Sequence, residues 1–403
     1  MSDIYIYMLI ILAGLAVTDL VVGVSNDAVN FLNSAIGSKA ISFKTIMIIA
    51  SVGIAFGALS SSGMMEVARK GIFVPGEFYF DEVMIIFMAV MITDILLLDF
   101  FNSIGLPTST TVSIVFELLG AAVCMSIIKI NEGRPPFLAA IFGGVSLTSL
   151  FYFIIFKGLK GADLGAVTEF IATTNVQTFI GVAFLFWTIF SFIYVYAIKW
   201  DIYKLIIILG TFGLAMAFAG NDLVNFIGVP IGAYQAWEYA EGTGLPANEI
   251  GMSFLSGQLP SNKWLLVVAG LIMVATLWFS SKAQAVVKTS VDLARQDSGT
   301  ERFQSNFLSR ILVRYSLYVA EGIQQVMPER AANYISSRFE KLPVPAVIPK
   351  HADKPAFDYV RASVNLMVAS VLISIATSYK LPLSTTYVTF MVAMGTSLAD
   401  RAW

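Results

Sequence analysis

One cysteine, Cys124, and one histidine, His351, are all that this 403-residue chain has of either type. No disulfide can close within it and no His/Cys metal cluster can assemble. Any chemistry that needs histidine would rest on a single residue in a polar stretch. Charge is also sparse: 13% of residues are charged, against roughly 25% in an ordinary soluble domain. The net charge of −2 gives a nucleic-acid backbone nothing to bind. In place of charge the chain is 57% hydrophobic, with a mean hydropathy of +0.78. A soluble core of this size cannot hide so much apolar surface, whereas a bilayer is itself the solvent for such side chains. Carboxylates, amides and hydroxyls are left to carry the function of an all-α polytopic membrane protein.

The N-terminus lacks the basic region of a signal peptide. Asp3 is its only early charge, and Ile4–Val24 is long enough to span, so it reads as a retained first helix. Further spanning stretches are Phe43–Met65, Glu82–Ile104, Phe137–Lys157, Val176–Ile198, Tyr203–Gly220, Trp264–Ser280 and Phe357–Tyr379. Thr108–Met125 follows the Gly105-Leu106-Pro107 breaker and suits one arm of a broken helix or re-entrant hairpin. Residues 281–356 form a polar segment with an excess of Lys and Arg, which places it on the cytoplasmic side. Within it Leu308, Ile311, Leu312, Tyr315, Val319, Ile323 and Val326 recur at helical spacing. That stripe fits an amphipathic helix on the membrane surface and equally a helix packed in a soluble loop.

Two motifs recur in the same order. Asn26-Asp27-Ala28-Val29-Asn30-Phe31 returns as Asn221-Asp222-Leu223-Val224-Asn225-Phe226, and Leu106-Pro107-Thr108-Ser109-Thr110-Thr111 as Leu381-Pro382-Leu383-Ser384-Thr385-Thr386. The motifs are 80 residues apart in the first copy and 160 in the second, the excess being close to the length of the polar segment. One duplicated unit with a later insertion accounts for both spacings. The chain then divides into a first transmembrane repeat (1–160), a connecting transmembrane segment (161–202), the first part of a second repeat (203–280), the polar loop (281–356) and the last part of the second repeat (357–403). Transporters commonly place their site where such copies meet. If the copies are inverted, an odd number of crossings separates Asp27 from Asp222.

A carboxylate inside an apolar helix costs roughly 2.5–3.5 kcal/mol on insertion scales unless something compensates it. Neither Asp27 nor Asp222 has a Lys or Arg in its own apolar stretch, so a bound Na⁺ or H⁺ is the natural compensation. Asn26, Asn30, Asn221 and Asn225 add neutral oxygens of the kind Na⁺ accepts. The plain alternative, an Asn/Asp pair that only ties neighbouring helices together, explains one copy better than two. In the second motif proline ends one helix and suits the start of the next. Ser109, Thr110, Thr111 and Ser384, Thr385, Thr386 then lie beside unpaired N–H groups at a helix N-terminus, an anion site without a basic side chain. A single Ser-Thr-Thr is more often a cap or a packing contact; the duplication favours the anion site. Cations that neutralise both anion and carboxylates would strengthen anion binding, which is the linkage behind symport. Asp94, Asp99 and Glu117 are further acids in apolar context, read first as structural and second as sites for another cation.

With these motifs the chain resembles the inorganic phosphate transporter (PiT) family, through Gly23-Val24-Ser25-Asn26-Asp27-Ala28-Val29-Asn30, Gly105-Leu106-Pro107-Thr108-Ser109-Thr110-Thr111 and their second copies. The resemblance implies an inverted-repeat helical symporter for inorganic phosphate, driven by Na⁺ or H⁺, working by alternating access around a midplane site, with no other cofactor. It assigns phosphate to the Ser-Thr-Thr clusters and the Asn-Asp motifs. The implied setting is the cell (inner) membrane. The implied partners are phosphate, the coupling ion and lipid, with a homodimer as an option. Members often carry His after Ser-Thr-Thr; here Val112 and Tyr387 stand there, which removes a histidine proton relay and favours Na⁺. After Thr386 only 17 residues remain, so the reading frame is expected to continue with at least one more apolar helix. Three other activities stay open. Another oxyanion such as sulfate, lacking phosphate's proton near neutral pH, would be a poorer match for carboxylates. A membrane-embedded phosphoesterase would need a nucleophile and an acid. A passive channel would show no coupling.

Overall fold

In lipid every backbone N–H and C=O must be satisfied within its own segment, so the apolar runs become helices. The computed structural model describes residues 4–61, 65, 78–104, 137–158, 169–170, 173–257, 262–293, 307, 310–311, 314–315, 317–318, 355–379, 381 and 383–399. Among them lie α1 (Ile4–Asp27), α2 (Val29–Ser38), α3 (Phe43–Ser60), α4 (Phe80–Ile104), α5 (Phe137–Tyr152) and α6 (Val176–Phe192). There follow α7 (Ile202–Thr243), α8 (Lys263–Phe279), α9 (Ser281–Leu293), α10 (Tyr359–Ser378) and α11 (Thr385–Ala399). Short polar residues set several starts. Ser42, Asn175, Asp201, Asn262 and Asp358 each accept a backbone N–H of the first turn from outside the helix.

Six described helices are long and apolar enough to cross a membrane, and α8 with α9, bent by 66°, has the form of a broken span or a re-entrant loop. The chain is thus a multi-pass membrane protein. The α6 span is hardly covered by protein: Val182, Leu185, Phe186 and Ile189 are exposed and suited to lipid.

Two sequence expectations shift. The span expected over Tyr203–Gly220 runs on through the motif as a single 42-residue helix, with Pro230 inside it. The polar segment expected from residue 281 begins as α9, whose Ala283, Val286 and Val287 are buried at helical spacing against α1 and α2. The stripe from Leu308 lies largely outside the described residues; the described Ile311 and Tyr315 are helical and exposed.

Packing follows the duplication crosswise. α4 lies against α1 as α10 lies against α7, and α3 lies against α7 as α8 lies against α1. The interior divides into two clusters. The larger surrounds the middle of α7 and includes Phe31, Ile54, Phe218 and Leu366. The smaller joins Leu12, Phe80, Met84 and Phe87 to Ala233, Ala236 and Ala240 beyond Pro230.

The α3–α7 contact depends on two glycines one turn apart. A Cβ on Gly53 would lie 2.6 Å from the Phe212 carbonyl oxygen and 2.9 Å from the Ala215 Cβ; one on Gly57 would overlap the Met216 carbonyl and stand 2.7 Å from the Ala219 Cβ. This is the small-residue packing that lets helix backbones touch. Gly57→Leu is expected to force the helices apart at a cost of about 1–3 kcal/mol or more. A clear fall in thermal stability in detergent is the readout. Gly14→Ala, where a Cβ meets open space, is the control that should not lower stability.

Candidate functional site

The first motif ends α1 and begins α2, with Ala28 between them. The chain hardly breaks there, because the Ala28 N–H still reaches the Val24 carbonyl at 3.0 Å and the Leu32 N–H reaches Ala28 at 3.1 Å. The second copy of the Asn-Asp motif, Asn221–Phe226, lies mid-way along α7 with no interruption. The two meet face to face. A Cβ on Gly23, just before the first motif, would collide with the ring of Phe226, which ends the second. Ser25 ties the first motif to the α8–α9 bend, its hydroxyl 2.6 Å from that of Ser280.

Between the motifs stands the start of α11. Ser384 precedes the helix and its hydroxyl accepts the Tyr387 N–H at 3.2 Å, an N-cap. Ser384, Thr385 and Thr386 are all buried. Thr386 donates to Asp27 Oδ1 at 2.8 Å, and Thr385 donates to Asp222 Oδ2. The Asn30 amide donates to both hydroxyls, at 3.0 Å to Thr385 and 2.9 Å to Thr386. Its carbonyl oxygen accepts from Thr389 at 3.2 Å. Asn225, exposed, donates to Asp222 Oδ1 at 3.2 Å, while Asn221 donates to Thr377 of α10 at 3.0 Å. Asn26 is wholly buried. One continuous network thus runs Asp27–Thr386–Asn30–Thr385–Asp222–Asn225, joining the two Asn-Asp motifs through one Ser-Thr-Thr.

Each element has a reason for its place. Threonine can hold a carboxylate at a helix start because its hydroxyl is both donor and acceptor. Here each hydroxyl accepts from Asn30 and donates to an aspartate. Asn30 is one turn beyond Asp27, so both face the same side of a nearly continuous helix. Asn225 stands three residues after Asp222 for the same reason. Ser109, Thr110, Thr111 and Glu117 lie outside the described residues. Asp99 is committed elsewhere, in an ion pair with Lys282 of α9 at 2.5 Å.

Sequence reasoning passed over two buried charged groups. Asp19, two turns before Asp27, has no exposed surface and neither of its carboxylate oxygens is hydrogen-bonded. Arg361, three residues into α10 from its cap Asp358, is 1% exposed. Asp19 was visible as a lone charge inside an apolar run, and Arg361 as the basic residue of the Phe357–Tyr379 stretch, three residues after Asp358. Asn365, Thr377 and Thr389 also stand around the network; nothing but position marks them.

A model of the phosphate transporter family matches residues 23–289, which contain both Asn-Asp motifs and the first Leu-Pro-x-Ser-Thr-Thr. Among solved structures, "The sodium-dependent phosphate transporter" superposes with a TM-score of 0.60 at 15% identity, covering 98% of this chain and 90% of its own. At that identity the likeness concerns the fold. No curated protein matches the chain. The family match spans well over half of the sequence and includes Asp27, Asn30, Asp222 and Asn225 of the network, while Thr385 and Thr386 lie beyond it, so the chain belongs to the phosphate transporter family, whose members are transporters and not enzymes.

Proposed function

We propose that the chain is a symporter that couples inorganic phosphate to Na⁺ by alternating access, with phosphate held at the start of α11 between Asp27 and Asp222. The observation that carries this reading is the convergence of both carboxylates on the same pair of threonine hydroxyls. Each hydroxyl has one proton to give, and both are directed at carboxylates. A cation bound to Asp27 or Asp222 competes for those same oxygens and releases the threonine protons to an anion. Cation and anion then favour each other's binding, and the favour is reciprocal. The N-terminus of α11 adds its backbone donors and dipole to the anion's side. Asn26, Asn30, Asn221 and Asn225 complete a set of hard oxygen donors for the cation. Ser109, Thr110 and Thr111 are assigned the matching role in the first copy.

The sodium dependence in the name of the structural relative supports Na⁺, as does the absence of histidine from the network. Radiolabelled phosphate uptake into proteoliposomes, with Na⁺ and H⁺ gradients imposed separately, tests the proposal. Accumulation is expected with an inward Na⁺ gradient at equal pH. Accumulation driven by a pH gradient in Na⁺-free buffer would assign H⁺ instead, and equilibration without accumulation would make the protein a channel. Excess sulfate should compete poorly, since it lacks the proton that phosphate can donate to a carboxylate.

A further inference from the structure

Beside the threonine pair lies a cavity of about 240 Å³, far more than the roughly 10–15 Å³ that one water needs on the same measure. It shares Asn30 and Thr386 with the network and extends away from it between α2, the end of α9, the start of α10 and α11. Asn33, Asn365, Ser290 and Arg361 line that extension. The residues that follow α9 and precede α10 belong to the polar segment, so the cavity leads from the carboxylate pair towards that segment's side of the membrane.

Arg361 differs in kind from every other group in this wall. A guanidinium is always charged and presents five donors in a planar fork that matches tetrahedral oxyanions. Its place is fixed by the chain around it. Its backbone N–H is bonded to the Asp358 cap at 2.7 Å, and its charge stands 5.2 Å from the centre of the Phe357 ring. Phe357 in turn is wedged over Gly37, where a Cβ would collide with the ring, and the neighbouring Ala356 N–H bonds the Gly37 carbonyl at 2.7 Å. Nη2 reaches the Ala393 carbonyl at 3.5 Å across the cavity wall.

The carboxylate pair and this arginine impose opposite conditions on an anion. Between Asp27 and Asp222 an anion is repelled until cations arrive. Beside Arg361 it is attracted without them. We propose that the cavity is a second anion site, in which Arg361 holds phosphate on the polar-segment side of the carboxylate pair and does so without the coupling cation. The inference rests on the reading of the threonine pair as the central phosphate site.

The test uses the full chain in detergent and in liposomes. With Cys124→Ser removing the one native thiol, Ser290→Cys places a reporter in the cavity wall. It is labelled with anionic and cationic methanethiosulfonates, with and without inorganic phosphate, in Na⁺-free buffer. The anionic reagent is expected to react faster than the cationic one, and phosphate should slow it. Arg361→Gln is expected to lower the anionic-to-cationic rate ratio at least about fivefold and to abolish phosphate protection. Arg361→Lys, which keeps the charge, should retain protection, as should Asp222→Asn. Four results would each overturn the proposal: no labelling by either reagent, no phosphate protection in the Arg361 protein, protection unchanged in Arg361→Gln, or protection lost in Asp222→Asn. Normal phosphate uptake by Asp222→Asn would overturn the central-site reading alone and leave the labelling result standing.

Discussion

Asp222→Asn is expected to abolish cation-driven phosphate uptake in a protein that still folds, and Asp27→Asn to do the same. The amide nearly matches the carboxylate in shape, so its oxygen can still accept the hydroxyl of Thr385 or Thr386 and the local packing is kept. The charge is lost. The interaction lost is a buried ion pair between cation and carboxylate, and removing one partner of a buried pair costs about 3–5 kcal/mol. A loss of 3 kcal/mol is already more than about 100-fold, so coupled uptake should fall by at least that factor. Asp222 is the more severe case, because it is the more deeply buried and accepts from both Thr385 and Asn225. Size-exclusion profiles in detergent check folding, and uptake under an imposed Na⁺ gradient checks function. Either variant transporting at the normal rate with unchanged cation dependence would remove that aspartate from the site.

The second large effect is expected from Thr385→Val and Thr386→Val. Valine keeps the β-branch and the volume while removing the hydroxyl that links Asn30 to an aspartate. Each lost hydroxyl should weaken phosphate binding by about 1–3 kcal/mol, a rise of about 5- to 150-fold in apparent KM. The two losses should not add, since both hydroxyls share the Asn30 amide. Thr→Ser at either position should restore most of the affinity, which separates loss of the hydroxyl from loss of packing. An unchanged KM in the double valine variant would show that phosphate binds elsewhere.

The part of this site legible in the sequence is the part that was duplicated. Asp27, Asp222 and the Ser-Thr-Thr clusters announced themselves by recurring in order, and the structure brings both aspartates to Thr385 and Thr386. The network's single most connected member, Asn30, was legible only as a cation ligand. Its bonds to two threonines more than 350 residues away are tertiary facts. Asp222 and Asn221 made the second Asn-Asp copy look like the end of a span. In the structure Thr385 and Thr377 supply partners for those polar groups, so the helix continues through them. The start of the polar segment misled in the opposite direction. Lys282, Gln284, Lys288 and Asp292 raise its average polarity, but they lie off the Ala283–Val286–Val287 face, and the face decides whether a helix packs. Arg361 and Asp19 carry no repeat and no motif, so their importance lies wholly in what surrounds them.

Pro230 gives α7 a joint. At 1.5 Å per residue its 42 residues reach about 63 Å, roughly twice the thickness of a hydrocarbon core. Proline has no N–H to offer the Phe226 carbonyl four residues back, so one rung of the backbone ladder is missing just past the second Asn-Asp copy. That gap coincides with the boundary between the two hydrophobic clusters: Asp222 belongs to the part gripped by α3 and α10, whereas Ala233, Ala236 and Ala240 travel with the start of α4. The arm from Ile231 to Thr243 is about 20 Å long, and a swing of about 10° at the proline would carry its tip some 3–4 Å. The first copy has Ala35 at the place that matches Pro230, and its backbone ladder runs on through Ala28. The two copies of the Asn-Asp motif therefore sit in differently jointed helices: the one at Asp222 has a missing rung two turns beyond it, and the one at Asp27 keeps its ladder, so any bending of the two is expected to be unequal.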